Sequence, residues 1–324
     1  MNPKPQERGV ALLTVLLLVA VMATFAAGVL EDIRFSLRRA ANAQSVGQAR
    51  WYAIGAEALV GSQLRRQFDL EGGRTTLRGD WEGKVFRFPV EQGLIEAQLT
   101  DGVACFNVNG LVSGAPGQYV RNPAGVDRFI ALARAVGIAD GEALALAGAL
   151  VDWIDTDIRR DEAGAEDEAY SRGSAAYRTG GGLLAEVSEL RAIRGFNQQV
   201  FGRLRPHICA LPIPERSPIN VNTLREEDAV LLTAMTEGKL SVAAARRVIA
   251  GRPADGWSDE AAFWKAVPPD ALPTGAAGLE TRSRYFNLAT NITLGDAELA
   301  SSALLEQDQS GAVTLVARRW TRDE

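Results

Sequence analysis

Residues 10–30 form a run of 21 residues without a charge, placed nine residues from the start of the chain. As a helix rising about 1.5 Å per residue, the run spans roughly 30 Å, the thickness of a bilayer's hydrocarbon core. It is longer than the apolar core of a secretory signal peptide, which holds about 7–15 residues. Glu31 and Asp32 end it. Beyond them, residues 33–68 contain no Pro. Phe35, Leu37, Ala41, Val46, Ala49, Tyr52, Ala53, Ala56, Leu59, Val60 and Leu64 recur there between polar residues. This spacing predicts an amphipathic helix that continues the membrane segment. A single helix of about 55 residues results, half in lipid and half on a domain, where an ordinary anchor would show a linker.

The rest of the chain is long enough for a real core: 324 residues allow about two domains. Net charge is −5, which argues against a chain built to grip nucleic-acid phosphates. A single histidine, His207, and two distant cysteines, Cys105 and Cys209, exclude a zinc ribbon and a histidine-rich metal site. A Cys–His nucleophile would have to use His207, and a polar residue beside a structural cysteine is the simpler reading.

Short β-prone runs occupy residues 84–90, 94–100 and 104–108, and return at 285–294, 303–307 and 312–320. Between them the pattern is helical, at 125–136, 141–154, 187–193, 197–204, 225–236, 241–250 and 258–266. Thr223 reads as an N-cap, and Asp259–Glu260 as the start of a helix. Strands therefore flank a helical block, which predicts an α+β domain with a large all-α insertion. Cys105 precedes the helical block and Cys209 follows its first part. A bond between them would close a loop of about 105 residues, stabilising by roughly 4–5 kcal/mol less any strain. Two unpaired buried thiols are the alternative.

Two motifs carry chemistry. Residues 152–168, DWIDTDIRRDEAGAEDE, hold eight carboxylates. So dense a set repels itself unless it is solvated or neutralised by a cation, and its all-oxygen donors suit calcium rather than zinc. Counted from Asp155, residues Asp157, Asp161 and Glu166 fall at EF-hand positions, but Arg159 and Arg160 stand where a ligand and a glycine belong. A calcium loop of another geometry and a solvated acidic loop both remain open. The second motif, PINVNTL at 218–224 followed by two helices, looks like a helix-hairpin-helix. Its hairpin has one glycine where the phosphate-binding form uses two, so a structural use outweighs DNA binding.

The leader ending Arg8-Gly9, followed directly by Val10-Ala11-Leu12-Leu13-Thr14, resembles the class III signal of pilins and pseudopilins. Together with DWIDTD, GAEDEAY (164–170), VSELRAIRG (187–195) and PINVNTL, it resembles the K-type minor pseudopilins of the bacterial type II secretion system over nearly the whole chain. The resemblance implies a pilin-like fold in which the long helix packs on a small antiparallel sheet. On it, residues 1–9 are the prepilin leader, 10–31 the transmembrane helix and 32–108 the pseudopilin helix and first strands. Residues 109–280 are the inserted α-domain, with the acidic loop at 152–170 and the helix-hairpin-helix-like segment at 218–266. Residues 281–324 are the closing strands. Prepilin peptidase would cut after Gly9 and methylate Val10.

The resemblance further implies calcium, with Asp155, Asp157, Glu166 and Asp167 as ligands and Asp152 and Asp161 in reserve. It implies no enzymatic activity and a structural place at the pseudopilus tip, initiating or capping assembly and limiting its length. Other minor pseudopilins and the inner-membrane assembly platform are the expected partners, nucleic acid is not, and the C-terminal domain is expected in the periplasm. Most relatives of this class carry Glu at the fifth mature position, where this chain has Thr14. A subunit with Thr cannot lend a buried carboxylate to a neighbour's N-terminal amine, yet can offer its own amine, which suits a filament end. The readings from other classes are a membrane-anchored periplasmic DNA-binding protein and an anchored hydrolase using paired carboxylates.

Overall fold

The computed structural model describes residues 5–171, 176–214, 216–273, 275 and 278–321, with side chains from residue 10 onward. The first four leader residues lie outside the described residues.

Helix α1 runs unbroken over Pro5–Leu70, longer at its start than the apolar pattern predicts. From residue 10 to residue 44 every position is exposed, so this half packs on nothing among the described residues. Beyond it, Ala49, Ala53 and Leu64 are buried on one face. That face packs on a five-stranded sheet of β1 (Val85–Val90), β2 (Gly93–Asp101), β7 (Tyr285–Leu294), β8 (Ala297–Gln307) and β9 (Val313–Arg319), in spatial order 1-2-7-8-9. Every neighbouring pair is antiparallel. Ala49 and Ala53 pack with Ile292 and Leu294, whereas Leu64 packs with Phe286 and Leu305. The sheet therefore has one end near the membrane half of α1 and one end far from it. Glu57, buried on α1, takes a two-pronged ion pair from Arg318 of β9, with both N···O distances 2.6 Å.

Two strand boundaries differ from the sequence reading. Strand β8 begins at Ala297, not at residue 303, because Gly295 (φ 55°) and Asp296 make a two-residue turn that joins β7 directly to it. The run at 104–108 is not part of the sheet. The Asp101 carboxylate accepts the Val103 N–H at 2.9 Å and turns the chain out of β2. Only β3 (Phe106–Asn107) remains extended, and it pairs in parallel with β6 (Ile208–Cys209). A disulfide joins Cys105 to Cys209 beside this bridge, with Cα atoms 5.7 Å apart.

Between β2 and β7 the chain builds a helical domain. After the small ribbon of β4 (Val112–Ser113) and β5 (Val120–Arg121) come α2 (Pro123–Ala135), α3 (Asp140–Ile154), α4 (Asp167–Tyr170) and α5 (Gln198–Leu204). Helices α6 (Ala229–Met235), α7 (Val242–Ala250) and α8 (Glu260–Trp264) follow β6. The segment at 187–193 is 3-10 helix over Val187–Ala192. Phe106, Phe129, Leu132, Leu150, Met235 and Phe263 all belong to one apolar cluster, so both helical blocks share a core separate from the two clusters beneath α1. Burial of an amphipathic face, rather than length, holds helices this short.

The junction between the two parts is polar and satisfied. Thr223 is not an N-cap: its one hydroxyl proton is shared between Asp101 Oδ2, across the junction, and the Asn220 carbonyl. The amide of Asn220 donates to Thr75 O and to Ser283 Oγ, both at 2.9 Å. Asn222 accepts from Trp257 N–H and donates to its carbonyl. The PINVNTL motif thus fastens the helical domain to the sheet. A buried amide or carboxylate is tolerated in such a place because each of its polar groups finds a partner.

Candidate metal centre

The acidic loop starts where α3 stops. Asp152 lies in the last turn of α3 and Asp155 is its C-cap, and both are buried. The loop then folds back so tightly that a Cβ on Gly164 would overlap the Asp152 carboxylate. A Cβ on Gly148 of α3 would in turn meet Gly164 N at 2.9 Å. Two glycines thus let the returning strand of the loop lie against the helix. The fold-back brings Glu166 to the C-cap: carboxylate oxygens of Asp155, Asp157 and Glu166 lie within 4.8 Å of one another.

The environment of these groups is unfavourable for anions. Burial, then the charges of Asp157, Asp152 and Glu166, push Asp155 up to about 7. Burial raises Asp152 to about 6, with Asp157 adding to the rise. Glu166 is also raised, by burial and by Asp152. Asp152 Oδ2, Asp155 Oδ1 and Glu166 Oε1 are buried without a hydrogen-bond partner among the described residues. Orphaned acceptors of this kind call for a proton or a cation. All donors here are hard carboxylate oxygens, so the residues present fit calcium.

The remaining two carboxylates of the predicted set have other partners. Asp161 is ion-paired with Arg121 of β5, and its N–H donates to Asp152 Oδ1 at 2.9 Å. Asp167 Oδ1 accepts from Thr179 N–H at 2.9 Å and from its hydroxyl at 3.0 Å, which holds its pKa below the usual range. These two bonds fasten the far side of the loop. Their partners, Arg121 and Thr179, escaped the sequence reading because nothing in local spacing links them to the acidic run. Gly164 was legible as part of GAEDEAY, but its close approach to Asp152 was not. Next to the cluster, Trp153 packs edge-on against Tyr170, with ring centroids 5.5 Å apart, and against Tyr177 at 6.2 Å.

The phosphate-nest and Cys–His readings lose their basis. The turn between α6 and α7 has Glu237 and Gly238 at positive φ. Its amides are already occupied: Gly238 N–H donates to Thr233 O, Lys239 N–H to Thr236 O and Leu240 N–H to Thr236 Oγ1. A phosphate-binding nest needs such amides free. The disulfide removes the Cys209 thiol from any partnership with His207.

A long half-exposed helix laid on an antiparallel sheet, with a helical domain inserted between two of its strands, defines the class: a pilin-like membrane-anchored subunit with an extra domain. The family models described as "Type II secretion system (T2SS), protein K" match residues 104–213 and 219–282, together more than half of the chain. The type II secretion system protein K of Pectobacterium carotovorum is 35% identical, over 93% of this chain and 93% of its own length. That of Klebsiella pneumoniae is 35% identical over 98% and 99%. A chain in the crystal structure of the GspK-GspI-GspJ complex from enterotoxigenic Escherichia coli superposes with a TM-score of 0.76 at 29% identity, covering 88% of this chain and 99% of that one. The chain belongs to the type II secretion system protein K family and is a minor pseudopilin, a structural component of that system.

Proposed function

We propose that this subunit sits at the tip of the pseudopilus, where it initiates or caps assembly and limits the filament's length. One observation carries the reading. The chain leaves the sheet at Asp101 and returns at Tyr285, the end that packs on Leu64, far from the membrane half of α1. A domain with its own core stands on that end and blocks the space where a further subunit would stack. Thr14, whose hydroxyl donates to the Ala11 carbonyl, offers no carboxylate to a neighbouring amine within the apolar bundle. The partners of this reading are other minor pseudopilins, in keeping with the relative crystallised with GspI and GspJ. Prepilin peptidase would cleave between Gly9 and Val10 and methylate Val10. Before extraction by the assembly platform, residues 10–31 would hold the subunit in the inner membrane with the domain in the periplasm.

Counting subunits in isolated pseudopili tests the tip position. One copy per filament at one end is expected; copies along the shaft would reject it. Thr14→Glu should allow crosslinking at non-tip positions, and unchanged crosslinks would remove Thr14 from the argument. The N-terminal mass, with and without the peptidase, tests the processing step.

Calcium belongs to the same proposal. Asp155, Asp157 and Glu166 would hold the ion, with Asp152 beside them. Bound calcium would neutralise carboxylates that burial otherwise destabilises, and so would stabilise the folded helical domain by mass action. A rise in melting temperature with millimolar calcium is the expected result, and no shift with no bound metal would remove it.

A further inference from the structure

A polar cavity of about 280 Å³ lies between the loop after α1 and the loop after α7. Its walls are Thr76, Arg78, Asn222, Arg252, Pro253 and Gly256 among others. The charges on it do not balance. Arg252 makes two hydrogen bonds, both from Nη1: to Leu224 O at 2.6 Å and to Val221 O at 3.5 Å. Its Nε and Nη2 make none, and no carboxylate pairs with it among the described residues. Burial lowers its pKa, with no acidic neighbour to offset that. Arg78 stands on the opposite wall, ion-paired with Asp255 through Nη2. Arg74 approaches the same residue, with Nη1 3.4 Å from the Asp255 carbonyl. Asp255 thus neutralises Arg78, whereas Arg252 carries its charge into the cavity without a carboxylate partner among the described residues.

The buried hydroxyl of Thr76, 4% exposed, accepts the Arg78 N–H at 3.2 Å and donates to no described residue. The Asn222 amide is held by Trp257 and cannot turn an acceptor into the cavity. Gly256, at φ 72°, keeps that wall thin: a Cβ there would meet Asn222 at 2.7 Å. Unused donors and surplus positive charge thus face an open space of ligand size.

We propose that this cavity binds a small oxyanion, a carboxylate or a phosphate group, on Arg252, Arg78 and the Thr76 hydroxyl. A planar carboxylate or a phosphate face matches the fork of a guanidinium, and such charge-assisted bonds exceed neutral ones in strength. The site is separate from the acidic loop and from the α6–α7 turn. Because it joins the two parts of the molecule, an anion there would bridge the sheet's loop to the helical domain.

The test is a thermal-shift titration of the full-length protein in detergent with inorganic phosphate and with acetate, each against chloride of equal ionic strength. A saturable rise in melting temperature beyond chloride is expected. A response to phosphate alone assigns the phosphoryl group, and a response to acetate assigns the carboxylate. Arg252→Gln should weaken the apparent affinity about tenfold or more, the effect of one charge-assisted hydrogen bond. Arg252 also holds the Leu224 carbonyl, so Arg78→Gln, on the opposite wall, is the second variant, and Arg246→Gln on exposed α7 surface is the control. No shift beyond chloride, or equal shifts in wild type and both cavity variants, would overturn the assignment.

Discussion

Asp101 Oδ2 accepts the hydroxyl of Ser283 at 2.8 Å, joining residues 182 positions apart in the chain. The first is where the polypeptide leaves the sheet and the second is where it is about to return. Thr223 donates to the same oxygen from within the helical domain. One buried carboxylate thus gathers the sheet, the return segment and PINVNTL.

Replacing that carboxylate should therefore loosen the junction. Asp101→Ala leaves the hydroxyl of Ser283 and the N–H of Val103 without their acceptor, and leaves the Thr223 hydroxyl with the Asn220 carbonyl alone. Each buried donor left unpaired costs about 1–3 kcal/mol, so we expect a loss of roughly 2–4 kcal/mol in denaturant unfolding. Asp101→Asn keeps one acceptor oxygen and should lose less. Equal stability of Asp101→Ala and wild type would show that the network contributes nothing.

The same place sets a pH dependence. Burial raises Asp101 to about 6, and burial with the nearby Asp101 charge raises Glu82 to about 7. Asp228 is raised as well by burial, and Arg225 is the cation facing the group, donating to Glu82 O at 2.9 Å. Folded values above the unfolded ones mean that the native state holds protons the unfolded chain releases. Their contribution is complete below about pH 4 and is lost as pH rises through 6 and 7. Calcium-free protein should be more stable at pH 5.5 than at pH 7.5, and Asp101→Asn with Glu82→Gln should lessen that slope, the remainder coming from Asp152 and Asp155. A wild-type stability that rises over this range would contradict the assignment.

At the acidic loop, apo and calcium-loaded behaviour should part company. Asp155→Asn removes a charge repelled by Asp157, Asp152 and Glu166. Without calcium it should stabilise the protein by about 1 kcal/mol, while the calcium-induced rise in melting temperature should fall away. Terbium offers a direct readout, since Trp153 lies next to Asp152 in the chain and packs beside the cluster. Sensitised emission that calcium displaces is expected in wild type and lost in the variant.

Gly164→Ala tests the fold-back. Its methyl group would overlap Asp152 Oδ2, so the loop has to move away from α3. We expect calcium affinity to fall at least tenfold, read by the same terbium displacement, with smaller change in far-UV circular dichroism. Unaltered affinity would show that the close approach is dispensable.

The Cys105–Cys209 bond encloses much of the helical domain, at a separation of 104 residues. Cys105→Ser with Cys209→Ser should cost about 2–5 kcal/mol, because the unfolded chain regains the freedom of a long loop. Urea unfolding of the paired variant measures it.

How much of this was legible beforehand follows physical lines. An uncharged run of bilayer length declares itself locally, and so do the 3.6-residue periods of α1, α2, α3 and α7. Eight clustered carboxylates raise the choice between a cation and a solvated loop by repulsion alone. These readings needed no knowledge of what lies across space. Composition likewise settled that a histidine metal site was out of reach.

Tertiary structure decided everything that depends on distant partners. Asp161 and Asp167 look equivalent to Asp155 in sequence, yet Arg121 and Thr179 occupy them while Asp155 Oδ1 has no donor among the described residues. Thr223 has the spacing of a cap, but a buried carboxylate 122 residues away takes its hydroxyl, a stronger demand than a helix end open to solvent. The run at 104–108 has strand composition, yet the turn at Asp101 removes it from the sheet. Local pattern states what a segment can form; the burial of charge and the pairing of every buried donor determine which of those forms the folded chain keeps.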